Sequence, residues 1–390
     1  MSNCPYCGPK TISHFSAWLE SSFSILLSPL DNLILGGSIH TLINKISRPL
    51  ALPFLKFLKS IGVVKFNQNI EKVENHRIQV LHEEAKRRDI KMQSIDVFGK
   101  NIDYYLAKIK SKTIIFNGIP RPPRKNYKGL WWMDDKKILK DKLVSAGIPT
   151  PKGESFSNFF PLLNYFNQLQ KPVVIKPRLG SRGRHTTTHI QNENELKKAF
   201  KIAKQLCHWV VIEEQLSGPV YRGTVIGGKI IGVLGGDPPK ITGDGKRAIK
   251  ELIEIKNKNK SEGVKDFKTS PTTPEFLARL GYHLESVLER DQIIDLTEKI
   301  GVNYGGTSFE VFTKTHPDFK AYLEKAAAVI DDPILGFDFI AEDITKPSET
   351  RKWGIIECNS LPFINLHHDP LIGIPINAAG FVWEYAEKNY

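Results

Sequence analysis

Residues 172–184 are the most informative stretch of the chain and have the sequence Pro-Val-Val-Ile-Lys-Pro-Arg-Leu-Gly-Ser-Arg-Gly-Arg. The first five residues are a short apolar run that predicts a strand, and the glycines Gly180 and Gly183 predict a loop. A helix over Asn194–Cys207 follows, because its apolar residues recur at helical spacing, and Trp209–Glu213 is the next predicted strand. This order of strand, loop, helix and strand indicates a compact α/β unit.

The loop has the composition of a phosphate-binding segment. Glycines let backbone N–H groups approach phosphate oxygens, and Ser181 adds a hydroxyl donor. Lys176, Arg182 and Arg184 add positive charge. The Gly-Lys-Ser or Gly-Lys-Thr of a P-loop is missing, so this is not that motif. On these residues alone, a solvent-exposed turn is an equally open interpretation.

Three side chains with oxygen donors lie near the C-terminal end. Glu357 and Asn359 are two positions apart at the end of a predicted strand, so they face the same side of a sheet. Asp338 lies between Phe337 and Phe339 in the preceding strand and faces away from both rings. If the two strands pair, the three donors converge on a position suited to Mg²⁺. An ion pair with a lysine or arginine accounts for the carboxylates equally well.

Length and charge narrow the class of protein. The chain has 390 residues, which corresponds to two or three structural units of about 150 residues each. Its hydrophobic content of 41% and charged content of 25% exclude wholesale disorder and a membrane-spanning bundle. Lys and Arg total 55 against 42 Asp and Glu, a net charge of +13. Such an excess predicts a polyanionic partner: nucleic acid, an anionic membrane surface or a polyphosphate nucleotide.

Cysteine usage indicates a reducing compartment, because four cysteines are too few for a disulfide scaffold. Cys4-Pro-Tyr-Cys7 is a single CxxC motif. A zinc site there would need two more ligands, and His14 is the only candidate nearby. A redox pair and two reduced thiols on a loose N-terminus are the alternatives.

Membrane and targeting signals are weak. The N-terminus lacks the basic and apolar regions of a secretory signal. Pro29 and Asp31 interrupt the apolar run Phe23–Leu35, which is too short to span a bilayer. The segment Arg48–Phe66 predicts a helix packed on the main body or, alternatively, one at an anionic surface. We expect a cytoplasmic protein without a transmembrane segment.

Five further predictions concern local structure. Helical spacing predicts helices over Glu74–Arg88 and Pro317–Ile330. The pair Gly227-Gly228 between two apolar runs predicts a hairpin with a primed turn. Residues 237–247 and the lysine-rich residues 254–275 are predicted loops.

In combination these motifs resemble the ATP-grasp superfamily of carboxylate–amine ligases, and within it the ATP-grasp part of the cyanophycin synthetases. The resemblance covers roughly residues 70–388. The wider resemblance is carried by Asp135-Lys136, Gly147-Ile-Pro-Thr-Pro151, Val174-Ile-Lys176-Pro, Gly180-Ser, Val211-Ile-Glu213-Glu-Gln-Leu-Ser-Gly218, Gly336-Phe-Asp338 and Ile356-Glu357-Cys-Asn359. The narrower one is carried by Tyr221-Arg222, Val225-Ile-Gly-Gly-Lys229, Thr242-Gly-Asp-Gly-Lys-Arg-Ala-Ile249, Gly305-Gly-Thr307 and His367 with Pro370.

The resemblance also implies a role for each site residue. The implied nucleotide-binding residues are Lys136, Lys176, Gly180, Ser181, Gly183, Glu213, Glu214, Gln215 and Leu216. The implied ligands of Mg²⁺ or Mn²⁺ are Asp338, Glu357 and Asn359. The implied catalytic residues are Arg182, Arg222 and Lys246, and the substrate side holds Arg222 and His367.

The implied fold is α+β, with two α/β lobes that clasp ATP and a small pre-ATP-grasp α/β domain before them. The corresponding divisions are a partly helical N-terminal extension over 1–67, the pre-ATP-grasp domain over 68–130, the first lobe over 131–220 and the second lobe, with the metal and substrate site, over 221–390.

The implied activity is ADP-forming ligation. ATP activates a carboxylate as an acylphosphate, and the amine of an amino acid or peptide then attacks it. No nucleic-acid partner is expected, and a homo-oligomer stays open. One alternative is nucleotide binding without ligation, because Val220 stands where relatives place an acidic residue on the ribose. The other is a basic protein that binds nucleic acid or an anionic surface.

Overall fold

The computed structural model describes residues 4–7, 12–33, 50–70, 73, 75–122, 131–180, 183–350 and 352–390. Its helices are α1 (His14–Leu33), α2 (50–60), α3 (His76–Arg87), α4 (Lys136–Ser145), α5 (Phe159–Phe166), α6 (Glu193–Lys204), α7 (Ile249–Lys258), α8 (Thr272–Arg279), α9 (Pro317–Ile330) and α10 (Ala378–Asn389). Its strands are β1 (Val64–Asn67), β2 (Lys91–Val97), β3 (Lys100–Ile109), β4 (Lys112–Asn117), β5 (Gly153–Phe156), β6 (Val173–Pro177), β7 (Thr187–Ile190), β8 (Val210–Glu214), β9 (Val220–Ile226), β10 (Lys229–Asp237), β11 (Lys240–Thr242), β12 (Ile293–Asp295), β13 (Thr307–Glu310), β14 (Ile334–Ala341) and β15 (Trp353–Asn359).

The named strands form four sheets, and each of their pairings is antiparallel. In chain order the sheets are β1-β2-β3-β4, β5-β8-β6-β7, the five-stranded β13-β10-β9-β14-β15 and the short pair β11-β12. Helices pack against these sheets, so the predicted α+β class is confirmed. The five-stranded sheet is the one that carries the predicted metal ligands.

The predicted hairpin joins β9 to β10 through Gly227 and Gly228. Both glycines have positive φ values, 61° and 80°, as a primed two-residue turn requires. Gly227 has a second constraint, because a Cβ there would lie 2.7 Å from the ring of Tyr385 on α10. The hairpin fixes β9 beside β10 and leaves the other edge of β9 for β14.

The C-terminal helix α10 belongs to the core of the first sheet. Trp383 is fully buried among residues of α3, β3 and β4, and its indole N–H donates to the carbonyl of Leu81 at 2.8 Å. Ile226 and Ile334 of the five-stranded sheet reach the same apolar cluster. This shared apolar cluster therefore holds the first sheet against the five-stranded one.

Helix α2 has two apolar faces. Leu52, Leu55 and Leu58 pack against a small core under β1, β2 and β3. Phe54 and Phe57 point outward and are 59% and 58% exposed. The predicted packing on the main body is confirmed for the inner face. In the part of the chain that the structure describes, every helix is too short or too polar to span a bilayer.

The two predicted loops contain regular structure. Lys240–Thr242 forms β11, paired with β12. Residues 254–258 continue α7, and α8 begins at Thr272. The helical pattern of α7 is hard to recognise in the sequence because lysines occupy its exposed side, whereas its apolar residues Ile249 and Ile253 are buried. The side-chain amide of Asn257 also binds the backbone of Phe267 at two points. Its Nδ2 donates to the Phe267 carbonyl at 2.9 Å, and its Oδ1 accepts from the Phe267 N–H at 2.8 Å.

Candidate active site

The candidate site lies on one face of β9, β14 and β15. β14 pairs with β9 on one side and β15 on the other, so Asp338 lies opposite both Arg222 and Glu357. Phe337 and Phe339 are fully buried on the other face of β14. Because side chains alternate along a strand, Asp338 is directed to the less buried face. The pairing of the two carboxylate strands, on which the predicted convergence depends, is present.

Asp338 is held by a two-point ion pair. Arg222 donates from Nε to Oδ1 and from Nη2 to Oδ2, each at 2.7 Å. The side-chain amide of Asn359 donates to Oδ2 at 3.3 Å. Two parallel bonds between a guanidinium and a carboxylate are stronger than one and fix both planes. The ion pair left open by the sequence is therefore present in this structure.

Glu357 lies beside this ion pair in a different electrostatic environment. Burial raises the pKa of its carboxyl group, and the neighbouring carboxylate of Asp338 adds to that rise. Lys136 opposes both effects, with its Nζ 3.8 Å from Oε2 of Glu357. Burial and the second carboxylate both disfavour the ionised form of Glu357. A bound cation would stabilise that ionised form. The oxygen donors of Asp338, Glu357 and Asn359 suit a hard divalent ion.

Two lysines share one buried carboxylate in the neighbouring sheet. Lys176 on β6 and Lys140 on α4 bind the two carboxylate oxygens of Glu213 on β8, and the Lys140 distance is 2.7 Å. Burial would raise the pKa of Glu213, but the two ammonium groups lower it to about 2. The side chain of Glu213 thus points inward. The ammonium group of Lys176 also approaches the carbonyl of Ile356 on β15 at 3.5 Å.

Lys136 connects the glycine loop to the carboxylates. It is the first residue of α4, and its Nζ donates to the carbonyl of Gly180 at 2.8 Å. Asp135 caps the helix, accepting from the backbone of Lys137 at 2.9 Å and of Ile138 at 3.1 Å. Arg178, the residue directly after β6, donates from Nε to both oxygens of Asp135 at 2.9 Å. This cap fixes the start of α4 and therefore the position of Lys136, its first residue.

Asp135→Asn will lower the free energy of unfolding by about 1–2 kcal/mol, since a charged hydrogen bond becomes a neutral one while the cap acceptor is kept. Asp135 is fully buried, so water does not replace the lost charge. The matched control is Asp141→Asn on the same helix, whose carboxylate is exposed and pairs with Lys137 at 2.7 Å. Urea unfolding measures both. Equal stability of the two variants would contradict the anchoring role of Asp135.

The glycine loop is described in part. Gly180 and Gly183 have positive φ values of 138° and 60°. The carbonyl of Gly183 accepts a hydrogen bond from Lys299, and Arg184 donates to the carbonyl of Cys7 at 3.2 Å. Arg184 therefore faces the N-terminal segment. Ser181 and Arg182 lie outside the described residues, and their roles stay predictions.

The remaining predicted residues are spread more widely. Glu214 accepts from the backbone of Gln170 at 3.4 Å, and Gln215 bonds both the backbone and ring of His189. Leu216 is half-buried after the end of β8. Lys246 is exposed in the turn between β11 and α7.

His367 is enclosed on the face of β9 that also carries Arg222, because its partner Thr224 is two positions from Arg222. Its Nδ1 lies 2.7 Å from Glu310, and its Nε2 lies 2.7 Å from Thr224. The ring is fully buried, so in this structure it holds β9, β13 and the C-terminal segment together. A direct contact between His367 and a substrate stays a prediction.

Sequence reasoning did not assign roles to Lys140, Thr224 and Glu310. Lys140 has a recognisable signal, since it is one helical turn from Lys136 and falls on the same face of α4. Thr224 and Glu310 carry none, because their shared contact with His367 depends on three segments far apart in the chain.

Comparison with known proteins identifies the fold. A crystal structure of a bifunctional glutathione synthetase from Pasteurella multocida superposes with a TM-score of 0.53 and 22% identity, over 80% of this chain and 43% of that one. This chain has the ATP-grasp fold. The resemblance drawn from the motifs is thereby confirmed.

Curated relatives give the same result at the sequence level. The cyanophycin synthetase of a Synechocystis species is 32% identical over 254 residues, which are 63% of this chain and 29% of that protein. The glutathione biosynthesis bifunctional protein GshAB of Desulfotalea psychrophila is 29% identical over 328 residues, or 82% of this chain and 42% of that protein. The ATP-grasp chain described here thus spans less than half the length of these relatives. No protein-family profile matches it.

Proposed function

We propose that this ATP-grasp protein is an ATP- and Mg²⁺-dependent ligase that activates a carboxylate as an acylphosphate and joins it to an amine. The observation that carries the proposal is the meeting of opposite charges between two sheets. Lys136 and Lys176, beside the β5–β8 sheet, reach Glu357 at 3.8 Å and the carbonyl of Ile356 at 3.5 Å on β15. Lysines facing carboxylates across such a junction suit a nucleotide whose phosphates carry a divalent cation.

The donor set at this junction fits magnesium or manganese. Asp338 and Glu357 supply carboxylates from adjacent strands, and Asn359 supplies an amide oxygen two positions after Glu357. These residues would hold the ion together with phosphate and water oxygens. When bound, the ion would neutralise charge on the phosphoryl group during transfer. Among these ligands the ion would stabilise the charge of Glu357 most, because burial disfavours the ionised form of Glu357 in its absence.

The chain's own residues then have separable tasks. Lys136 and Lys176 would bind the phosphates, and the loop 180–184 would cover them and exclude water from the acylphosphate. The backbone of residues 213–216 would line the adenine, because the side chain of Glu213 is turned inward to Lys140 and Lys176. A carboxylate oxygen of the substrate attacks the γ-phosphorus and ADP leaves; the amine nitrogen then attacks the acyl carbon, phosphate leaves, and the amine proton passes to solvent. Arg222, 18% exposed in its side chain, would orient the carboxylate.

Relatives named as cyanophycin synthetase and as a glutathione biosynthesis protein support an amino acid or peptide as substrate. One observation favours a second candidate function, nucleotide binding without ligation. Arg222 occupies both oxygens of Asp338, so one proposed metal ligand is already neutralised. Incubation with ATP, Mg²⁺ and pools of amino acids and short peptides separates the two functions. Ligation gives substrate-dependent phosphate and a new amide by mass spectrometry, whereas bare binding gives neither.

Lys246→Ala will lower kcat/KM for ATP about tenfold, because one charged contact to a phosphate is worth roughly 1.4 kcal/mol. Lys246 is exposed, so its loss should leave the unfolding temperature unchanged. Lys250→Ala is the matched control, since it removes an exposed lysine of α7 that faces Glu285. Initial-rate kinetics at varied ATP measure the effect. Identical constants for the two variants would remove Lys246 from the nucleotide site.

A further inference from the structure

A second group of metal-ligating side chains lies at the N-terminal segment. Cys4, Cys7, His14 and His185 present two sulfurs and two imidazole nitrogens within 4.8 Å of one another. The sequence places the first three close together, but His185 follows Cys7 by 178 positions and follows the glycine loop directly. Folding therefore supplies the fourth ligand that the CxxC motif lacks.

The spacing of the four ligand atoms fits a tetrahedral ion. The sulfur of Cys7 lies 3.2 Å from Nε2 of His14 and 3.4 Å from Nε2 of His185. The sulfur of Cys4 also lies 3.4 Å from Nε2 of His185. In a zinc site with Zn–S near 2.3 Å and Zn–N near 2.0 Å, sulfur and nitrogen ligands are about 3.5 Å apart. A single thiol–imidazole hydrogen bond would explain one of these contacts. It does not explain why all four ligand atoms lie around a common centre.

His185 is oriented as a metal ligand by its own surroundings. Its Nδ1 lies 2.7 Å from the carbonyl of Ile202. Because a carbonyl only accepts, Nδ1 carries the proton and Nε2 keeps a lone pair toward the sulfurs. The residue is fully buried, has a left-handed φ of 52°, and donates its backbone N–H to Tyr6 at 3.2 Å. Packing and hydrogen bonds hold it in a conformation that few such residues adopt.

We propose that Cys4, Cys7, His14 and His185 bind one Zn²⁺ as a closed structural site. Two thiolates and two imidazoles are soft donors that select zinc over magnesium. Four protein ligands leave no open position for a substrate, which distinguishes a structural from a catalytic zinc. Both cysteines are free thiols in the structure, and their two protons would pass to solvent as the ion binds.

The ion would fasten the N-terminal segment to the lobe that holds the glycine loop. Arg184 already donates to the carbonyl of Cys7 at 3.2 Å, and Ser21 of α1 donates to the carbonyl of Leu206 at 2.9 Å. His185 is the residue after Arg184, so coordination would anchor one end of the loop. This inference is independent of the ligase activity proposed above.

Metal content of the full chain, purified without chelator, tests the site. Wild type should carry about one zinc per chain, and Cys7→Ser and His185→Gln should each retain about a tenth or less, since both remove a ligand of a closed site. The matched control is Cys207→Ala, a buried cysteine outside the cluster, which should keep its zinc.

A second measurement guards against variants that fail to fold. Chelator-treated wild type is titrated with Co²⁺, which should give the visible absorption of a tetrahedral, thiolate-bound ion, displaced by one equivalent of Zn²⁺. Chelation should also expose residues 12–33 to protease. Wild type without zinc and without that cobalt spectrum, a Cys4–Cys7 disulfide in the purified protein, or equal zinc loss in Cys207→Ala would overturn the proposal.

Discussion

Glu357→Ala will reduce substrate-dependent phosphate release by about a thousandfold or more, since a metal that stabilises charge in the transition state contributes several kcal/mol. Glu357 is the carboxylate with the strongest case for a cation, because burial raises its pKa and Asp338 adds to the rise. The fold should survive the change. The ionised form of this half-buried carboxyl is disfavoured and costs stability at neutral pH. The variant Glu357→Gln, which keeps the length of the side chain, should therefore unfold at the same temperature as wild type or a higher one.

The combination of lost activity and kept stability is the diagnostic result. Glu384→Gln is the control, because it removes an exposed carboxylate of α10 that pairs with Lys388 at 2.7 Å. Its phosphate release and unfolding temperature should both match wild type. Full activity in Glu357→Ala would show that the metal site lies elsewhere, and a large drop in unfolding temperature would assign Glu357 to the core instead.

Glu213→Gln will lower the free energy of unfolding by about 3–5 kcal/mol, the cost of removing one partner from a buried ion pair. Lys140 and Lys176 are 7% and 6% exposed, and both depend on the Glu213 carboxylate for neutralisation. Without it, two ammonium groups remain close together and shielded from water. Urea unfolding at neutral pH measures the loss. The double variant Glu213→Gln/Lys140→Met should regain part of it, since one of the stranded charges is gone.

The same carboxylate sets an acid dependence. The pKa of Glu213 is lowered from 4.5 to about 2, so the unfolded chain takes up the proton first as the pH falls. Its contribution to stability is complete above pH 4.5 and is lost toward pH 2. Wild type should therefore lose more stability than Glu213→Gln across that window. Glu214→Gln, one residue further along β8 and half-buried, should behave like wild type. If Glu213→Gln were as stable as Glu214→Gln, the lysine pair would not depend on Glu213.

The site could be predicted from the sequence where its residues lie on regular strands. Alternation places Asp338 opposite the two buried phenylalanines and puts Glu357 and Asn359 on one face, and the observed register agrees. The choice between ion pair and metal could not be made, because Arg222 reaches Asp338 only through the pairing of β9 with β14. Pairing partners far apart in sequence leave no local pattern.

Contacts between distant segments explain the other gaps. Cys4, Cys7 and His14 are three ligands of the proposed zinc site, and the fourth, His185, follows a loop whose own composition indicated phosphate binding. The prediction of a loop over 254–275 was wrong at its ends, since lysines on the exposed side of α7 hid its apolar side. Burial against Trp383 likewise ties α10 to α3, although nothing in either helix specifies the other.

The fate of the carboxylate oxygen tests the central claim most directly. Substrate pools labelled with oxygen-18 in their carboxylates are incubated with the protein, ATP and Mg²⁺, and the released phosphate is analysed by mass spectrometry. Activation through an acylphosphate transfers one labelled oxygen from each ligated carboxylate to phosphate, in step with amide formation. Phosphate that is released without label, or amide that forms while phosphate stays unlabelled, would contradict the proposed ligase mechanism.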